Sequence, residues 1–376
     1  MVVVPAWLLQ ATLAVLASSA VVMVLVIVVA RVTRYVRQRQ IARLVAPLRP
    51  QLLAVAAGED DDSTAQRDLV TAPARSRRPL DDAIVGLLSK IAGPPARALV
   101  GVLRSHGVTD LADARLRSLS SVRRARAAWT LGLMRDGTRA PAIARLLADR
   151  SVEVRITAAR ALGLIADPAQ AGAVLASVCP DQRGRRLPSW AAVEALAPVG
   201  SLAADELTEA LRDSDPEPRT VAATVIGHVP VMAGARAVRE RLAVEDDPAA
   251  LAALATALGE IGRADDVAVL ARLASEQTDD AVRVAAIEAL GTLGEVAGID
   301  HLAAWLADSR VVVAEAAGLA MARLGPAGTA RLRALRSAGP AGTDHGGADH
   351  DARVGRVVSY ALTMGMLRTG GEAVSG

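Results

Sequence analysis

The 376-residue chain has no phenylalanine, two tyrosines and four tryptophans, so its core has to be assembled from many small aliphatic contacts between closely packed helices. A single cysteine, Cys179, excludes an intrachain disulfide and a zinc site built on several thiolates, and is expected as a small core residue. Lysine occurs once, at Lys90, against 42 arginines; this reads as a GC-rich coding bias and by itself assigns no function. His106, His228 and His301 stand apart with nothing local to orient them, so no Ser-His-Asp or Cys-His set is expected. Gly325-Pro326-Ala327-Gly328-Thr329 lacks the spacing, the lysine and the preceding strand of a phosphate loop. His345 and His350, among Asp344, Asp349 and Asp351, lie in a glycine-rich tail without the rigid support a metal centre needs. No catalytic, cofactor-binding or metal site is expected.

What is present begins with an apolar run. From Ala6 to Ala30 the only polar residues are Gln10, Thr12, Ser18 and Ser19. As a helix rising about 1.5 Å per residue, this run reaches roughly 37 Å, enough for a hydrocarbon core of about 30 Å. No basic segment precedes it, and Val21 to Val29 carry it past the small residues Ala17-Ser18-Ser19-Ala20, which favours an uncleaved transmembrane anchor over 1–30 to a signal peptide. Arg31, Arg34, Arg37, Arg39, Arg43 and Arg49 come next, with no acidic residue before Glu59. Positive flanks stay on the cytoplasmic side, so the expected topology is a single-pass protein of the cell (inner) membrane, N-terminus outside and the remainder cytoplasmic.

Residues 31–57 read as a basic juxtamembrane helix, and 58–80, with Glu59 to Asp62 and Arg75 to Pro79, as a charged flexible linker. Helical patterns over 81–118 are expected to form an N-terminal cap.

From Ser120 to Gly325 one phrase recurs. Val154-Arg155-Ile156-Thr157-Ala158-Ala159-Arg160-Ala161-Leu162-Gly163 returns, with six of ten positions identical, as Val282-Arg283-Val284-Ala285-Ala286-Ile287-Glu288-Ala289-Leu290-Gly291. Aligned on its last residue, the phrase marks Gly132, Gly163, Ala197, Gly227, Gly259, Gly291 and Ala322, spaced by 31, 34, 30, 32, 32 and 31 residues. Self-similarity at that period means stacked supersecondary units, here about seven antiparallel helix pairs over 119–336. The marker glycines suit a helix C-cap or a place where a neighbouring backbone comes close. Eight positions before a marker stand Arg124, Arg155, Arg219 and Arg283; fourteen before stand Asp149, Asp213, Glu245 and Asp308. This pattern resembles HEAT repeats of the short bacterial, phycobilisome-lyase-like kind. The resemblance implies an all-α solenoid in which these Arg and acidic residues form a ladder between successive units. Ser189, Leu251 and Ala314 replace the arginine in the third, fifth and seventh units, where the ladder contact should be missing. The third unit also carries an insertion, Pro180 to Pro188. A Gly-rich linker, 337–350, and a C-terminal helix, 351–368, end the chain.

The solenoid carries its charge unevenly. Residues 101–160 hold 12 arginines against 5 acids, whereas 201–320 hold 9 arginines against 21 acids. A surface that tracks nucleic-acid phosphates would not carry the acidic half, so no nucleic acid is expected. The basic half suits the anionic inner leaflet, and the acidic half is where a partner is expected first. The functional expectation is a membrane-anchored scaffold or adaptor, not an enzyme, that holds a partner protein on an extended concave surface. A loose likeness to bacterial membrane HEAT proteins found beside membrane glycosyltransferases makes such an enzyme one candidate partner. The phycobilisome-lyase resemblance implies an alternative, a lyase or chaperone acting on a client protein, which the membrane anchor and the scarcity of aromatics disfavour. The resemblance also raises deoxyhypusine hydroxylase, whose iron ligands come from His-Glu dipeptides. No His-Glu pair occurs in this sequence.

Overall fold

The computed structural model describes residues 6–337 and 353–364; within the first helix some side chains, those of Arg34 and Arg37 among them, are not described. The 338–352 stretch, and with it nearly all of the expected Gly-rich linker, lies outside the described residues, as do 365–368 of the expected C-terminal helix. Among the described residues there are helices and no strands. The chain divides into two compact units, Met1–Ala112 and Asp113–Gly376.

The first unit holds α1 (Ala6–Val45), α2 (Arg49–Ala57), α3 (Thr64–Val70), α4 (Ala74–Leu88) and α5 (Gly93–Ser105). One helix runs through the expected boundary at residue 30 and stops where Pro47 and Pro50 interrupt the backbone donors. Among the described residues no helix is long and apolar enough to cross a membrane. The described side chains of α1 give an unbroken apolar run only from Val22 to Ala30 before Arg31 intervenes. Arg31, Arg39, Arg43 and Arg49 are exposed, and the Arg39 guanidinium lies 4.7 Å from the centre of the Tyr35 ring.

The expected flexible linker, 58–80, is instead folded. Gly58, with φ of 79°, closes α2 in the left-handed region. Asp60, near the start of the acidic run, accepts hydrogen bonds from the Ala65 and Gln66 amides at 2.9 and 2.8 Å. Its carboxylate thus stabilises the start of α3, where unpaired amides and the helix dipole favour negative charge. Leu69, Ala72 and Leu80 join Leu52, Ile84, Leu99 and Leu103 in the core.

In the second unit α6 (Val108–Leu116), which begins just before the division, is followed by seven helix pairs. They are α7 (Ser121–Leu133) with α8 (Ala140–Ala144), α9 (Val152–Ile165) with α10 (Ala171–Ala176), and α11 (Ser189–Leu196) with α12 (Ala204–Ala210). Then come α13 (Pro216–His228) with α14 (Ala235–Leu242), α15 (Pro248–Ile261) with α16 (Asp266–Glu276), α17 (Asp280–Leu293) with α18 (Ile299–Trp305), and α19 (Val311–Arg323) with α20 (Gly325–Ser337). The helices expected as a cap over 81–118 are split by the division, α4 and α5 falling in the first unit.

Four of the seven first helices start on side-chain caps. Ser151, Asp215, Asp247 and Asp279 each accept a backbone amide, and proline follows two of them at Pro216 and Pro248. Each marker glycine sits inside its helix rather than at a C-cap with positive φ. Its role is close approach. A Cβ at Gly132, Gly163, Gly227, Gly259 or Gly291 would stand 2.7–3.0 Å from the Cα of Ala161, Ala195, Ala257, Ala289 or Ala320 respectively. Those alanines lie two positions before the next marker, so the Ala-Leu-Gly phrase offers an alanine to the repeat before it and a glycine to the repeat after it.

A last helix, α21 (353–364), lies on the seventh pair: the Ala361 Cβ and the Val357 Cγ1 occupy the space a Cβ at Gly318 would need, at 3.1 and 3.2 Å. Val357, Val358, Ala361 and Leu362 are buried.

Candidate partner-binding surface

Three arginine-to-acid contacts of the ladder form between neighbouring units. Arg124 grips Asp149 in a two-point contact, Nε to Oδ2 at 2.7 Å and Nη2 to Oδ1 at 2.8 Å, while its Nη1 donates to the Ser118 and Leu119 carbonyls. Arg219 holds Glu245 in the same way at 2.7 Å on both sides, and Arg283 donates to Asp308 at 2.6 Å. The arginine of one unit therefore reaches the acid of the next. Burial alone would raise the Glu245 carboxyl, but hydrogen bonds from Arg219 and Arg241 outweigh it and hold it at about 2.

Arg155 departs from this. Position 183, where the next acid would stand, is Arg183, and the Arg155 Nε donates to the Arg186 carbonyl of the insertion instead, at 3.0 Å. Asp213 has Ser189 instead of an arginine at its register position; the Ser189 hydroxyl donates to Glu217 at 2.5 Å, and Asp213 accepts the Asp215 amide at 2.9 Å. In the fifth unit Leu251 replaces the arginine, and its counterpart in the sixth is Gln277, so both halves of the contact are gone. A pair outside the register adds a tie between the fourth and fifth units. Arg239 grips the buried Asp266 at 2.6 and 2.8 Å.

Two further expectations change. Cys179 is half-buried rather than part of the core, and burial raises its thiol. His106 is firmly oriented: its Nδ1 lies 2.6 Å from the Asp81 carboxylate and its Nε2 faces the Leu69 and Val70 carbonyls at 3.2 and 3.3 Å. With the ring 1% exposed, this pair joins α3, α4 and α5 and offers nothing to a substrate. Among the described residues no group of three or more His, Cys, Asp or Glu side chains could hold a metal ion.

The surface that stands out lies on the first helices of the early pairs. Three and seven positions before the marker, one turn apart on the same face, the second and third units carry Arg160 and Ile156, and Glu194 and Trp190. Trp190 is 53% exposed. The Arg160 guanidinium lies 5.4 Å from the centre of its ring and pairs with Glu194 at 3.1 Å. Trp129, half-buried, holds the corresponding place on α7 one repeat earlier. In the fourth and fifth units the same columns carry Thr220, Thr224, Ala252 and Thr256. An exposed tryptophan stacked under an arginine, in a chain so poor in aromatics, is the composition of a protein-binding hot spot.

A family model described as HEAT repeats matches residues 204–283 and 235–322. No curated protein matches the chain. Among solved structures the chain is similar to the CpcE and CpcF complex of phycocyanin lyase from Nostoc sp., at 20% identity over 68% of this chain and 94% of that one, with a TM-score of 0.32. Human deoxyhypusine hydroxylase in complex with glycerol is similar at 20% identity over 69% and 94%, with a TM-score of 0.28. Kap121p bound to Nup53p is similar at 12% identity over 82% of this chain and 39% of that one, with a TM-score of 0.51, a likeness of fold alone. The described residues are thus all helical, with a solenoid-like stack of seven pairs in the second unit, of which residues 204–322 match HEAT repeats.

Proposed function

We propose that this protein is a scaffold anchored in the cell (inner) membrane, N-terminus outside and solenoid in the cytoplasm, that holds a partner protein on the first-helix surface of its first three repeats. The observation that carries the binding role is Trp190, exposed on that surface under Arg160, with Ile156 and Trp129 on the same columns. Interface anchors of this type lose about 2 kcal/mol or more on truncation to alanine. The anchor reading is supported by eight consecutive exposed aliphatic side chains, Val22 to Val29, followed by the arginine flank that opens at Arg31. A membrane glycosyltransferase is one partner this arrangement would suit; catalysis by the chain itself is not part of this reading.

Crosslinking of the full chain in its own membranes tests it. A partner protein should be enriched over a control carrying only residues 1–80, be lost with Trp129→Ala and Trp190→Ala together, and persist with Thr224→Ala and Thr256→Ala. No enrichment, or enrichment indifferent to the tryptophans, refutes the reading.

A further inference from the structure

The loops that lead from one pair into the first helix of the next form one edge of the second unit, and the exposed charge along that edge changes sign at its middle. In the first three pairs it carries Arg123, Arg150 and Arg183, beside an Arg186 that pairs with Glu217 of the fourth. In the fourth to sixth it carries Asp213, Asp246, Glu276 and Asp279. Most charges of the opposite sign on each half are neutralised within the chain: Asp181 pairs with Arg185, Arg212 with Glu209, and Arg310 with Asp280. Glu153, exposed in the second pair, is the exception and is held by the Ser151 hydroxyl.

A stacked array cannot bring its two ends together. Packed helices sit about 8–10 Å apart, so the first and sixth pairs are separated by several times the screening length of about 8 Å at physiological ionic strength. The sign order is self-complementary about the gap between the third and fourth pairs. A two-fold axis there sets Arg123 of one copy against Glu276 of the other, Arg150 against Asp246, and Arg183 against Asp213, each contact made twice. The same superposition brings the exposed Val152 of the second pair opposite the exposed Val244 of the fifth.

We infer that a second copy of this chain docks on this edge, antiparallel, forming a closed two-fold dimer. This surface is distinct from the tryptophan surface of the proposed scaffold role, and the inference does not rest on that role. A closed pairing satisfies both halves of both edges at once, which a partner of single charge cannot do.

The test is the mass of the full chain in mild detergent by sedimentation equilibrium. At about 0.05 M salt, where screening reaches roughly 15 Å or less, twice the 38.7 kDa chain mass is expected; at about 1 M, where it falls to about 3 Å, the chain mass itself. The variants R123E/R150E/R183E and D213R/D246R/E276R should each be monomeric at low salt while keeping the helical circular dichroism spectrum of the wild type. Mixed in equal amounts they should recover the dimer, because each then presents the sign the other lacks. A monomer at low salt overturns the inference, as does a dimer indifferent to salt and to both variants, which would place the contact on the apolar helix. Folded variants that fail to recover on mixing overturn it as well.

Discussion

At Gly259 a Cβ would stand 2.8 Å from the Ala289 Cα, so Gly259→Ala has to push α15 and α17 apart. Overpacking of this kind costs about 1–3 kcal/mol. Gly86, inside α4, has nothing within 4 Å of its missing Cβ, and Gly86→Ala should stabilise by about 0.5–1 kcal/mol through helix propensity. Urea melts of the two variants should shift in opposite directions; a shift of the same sign would remove the close-approach account of the marker glycines. The Arg219 and Glu245 contact carries a pH signature. Glu245 has its folded pKa held at about 2, below the ordinary 4.5, so the contact stabilises fully above about pH 4.5 and loses its contribution as pH falls toward 2. The stability difference between the wild type and Glu245→Gln, on the order of 2–3 kcal/mol near neutrality, should therefore shrink on acidification. A difference that stays constant from about pH 6 to pH 2.5 would contradict this.

Among the elements, the third pair is the weak joint. Its first helix, α11, is 8 residues long where α9 and α15 have 14, and no arginine-to-carboxylate tie of the ladder reaches it from either side. Repeat arrays are stabilised by nearest-neighbour contacts, so α11 should open before its neighbours. Hydrogen exchange of the native chain should show faster amide exchange in α11 than in α15, and equal protection of the two would defeat the point. Much of this is legible in the amino-acid sequence, because the repeat period, the marker positions and Ser189 are all local facts. Arg183 at the acid position and Gln277 opposite Leu251 are legible too, once the ladder is understood to run from one unit to the next. Other features are not. Arg239 and Asp266 are 27 residues apart and off the marker register, and His106 finds Asp81 only after α4 and α5 have packed. Asp60 looks like part of a solvated acidic run until the start of α3 supplies amides for it.

For the whole molecule, the proposed anchor can be separated from the solenoid by a charge. Ser18 and Val22 are exposed on α1, close to the centre of the apolar run 6–30. A lysine near the middle of a membrane-spanning helix costs about 2.5–3.5 kcal/mol, so Ser18→Lys with Val22→Lys should move the chain from the carbonate-resistant membrane pellet to the supernatant. Wild type and variant partitioning alike would refute the anchor. The other terminus has a different consequence. Every glycine-bearing face in the stack receives the next helix of the same kind, and a stack of that design has no inherent length: the last face would accept another repeat, from this chain or a neighbour's, as readily as those before it. At Gly318 that vacancy is taken by Val357 and Ala361. The helix that supplies them works as a chain terminator, covering the face on which a further repeat would stack and leaving that end unable to grow into a fibre.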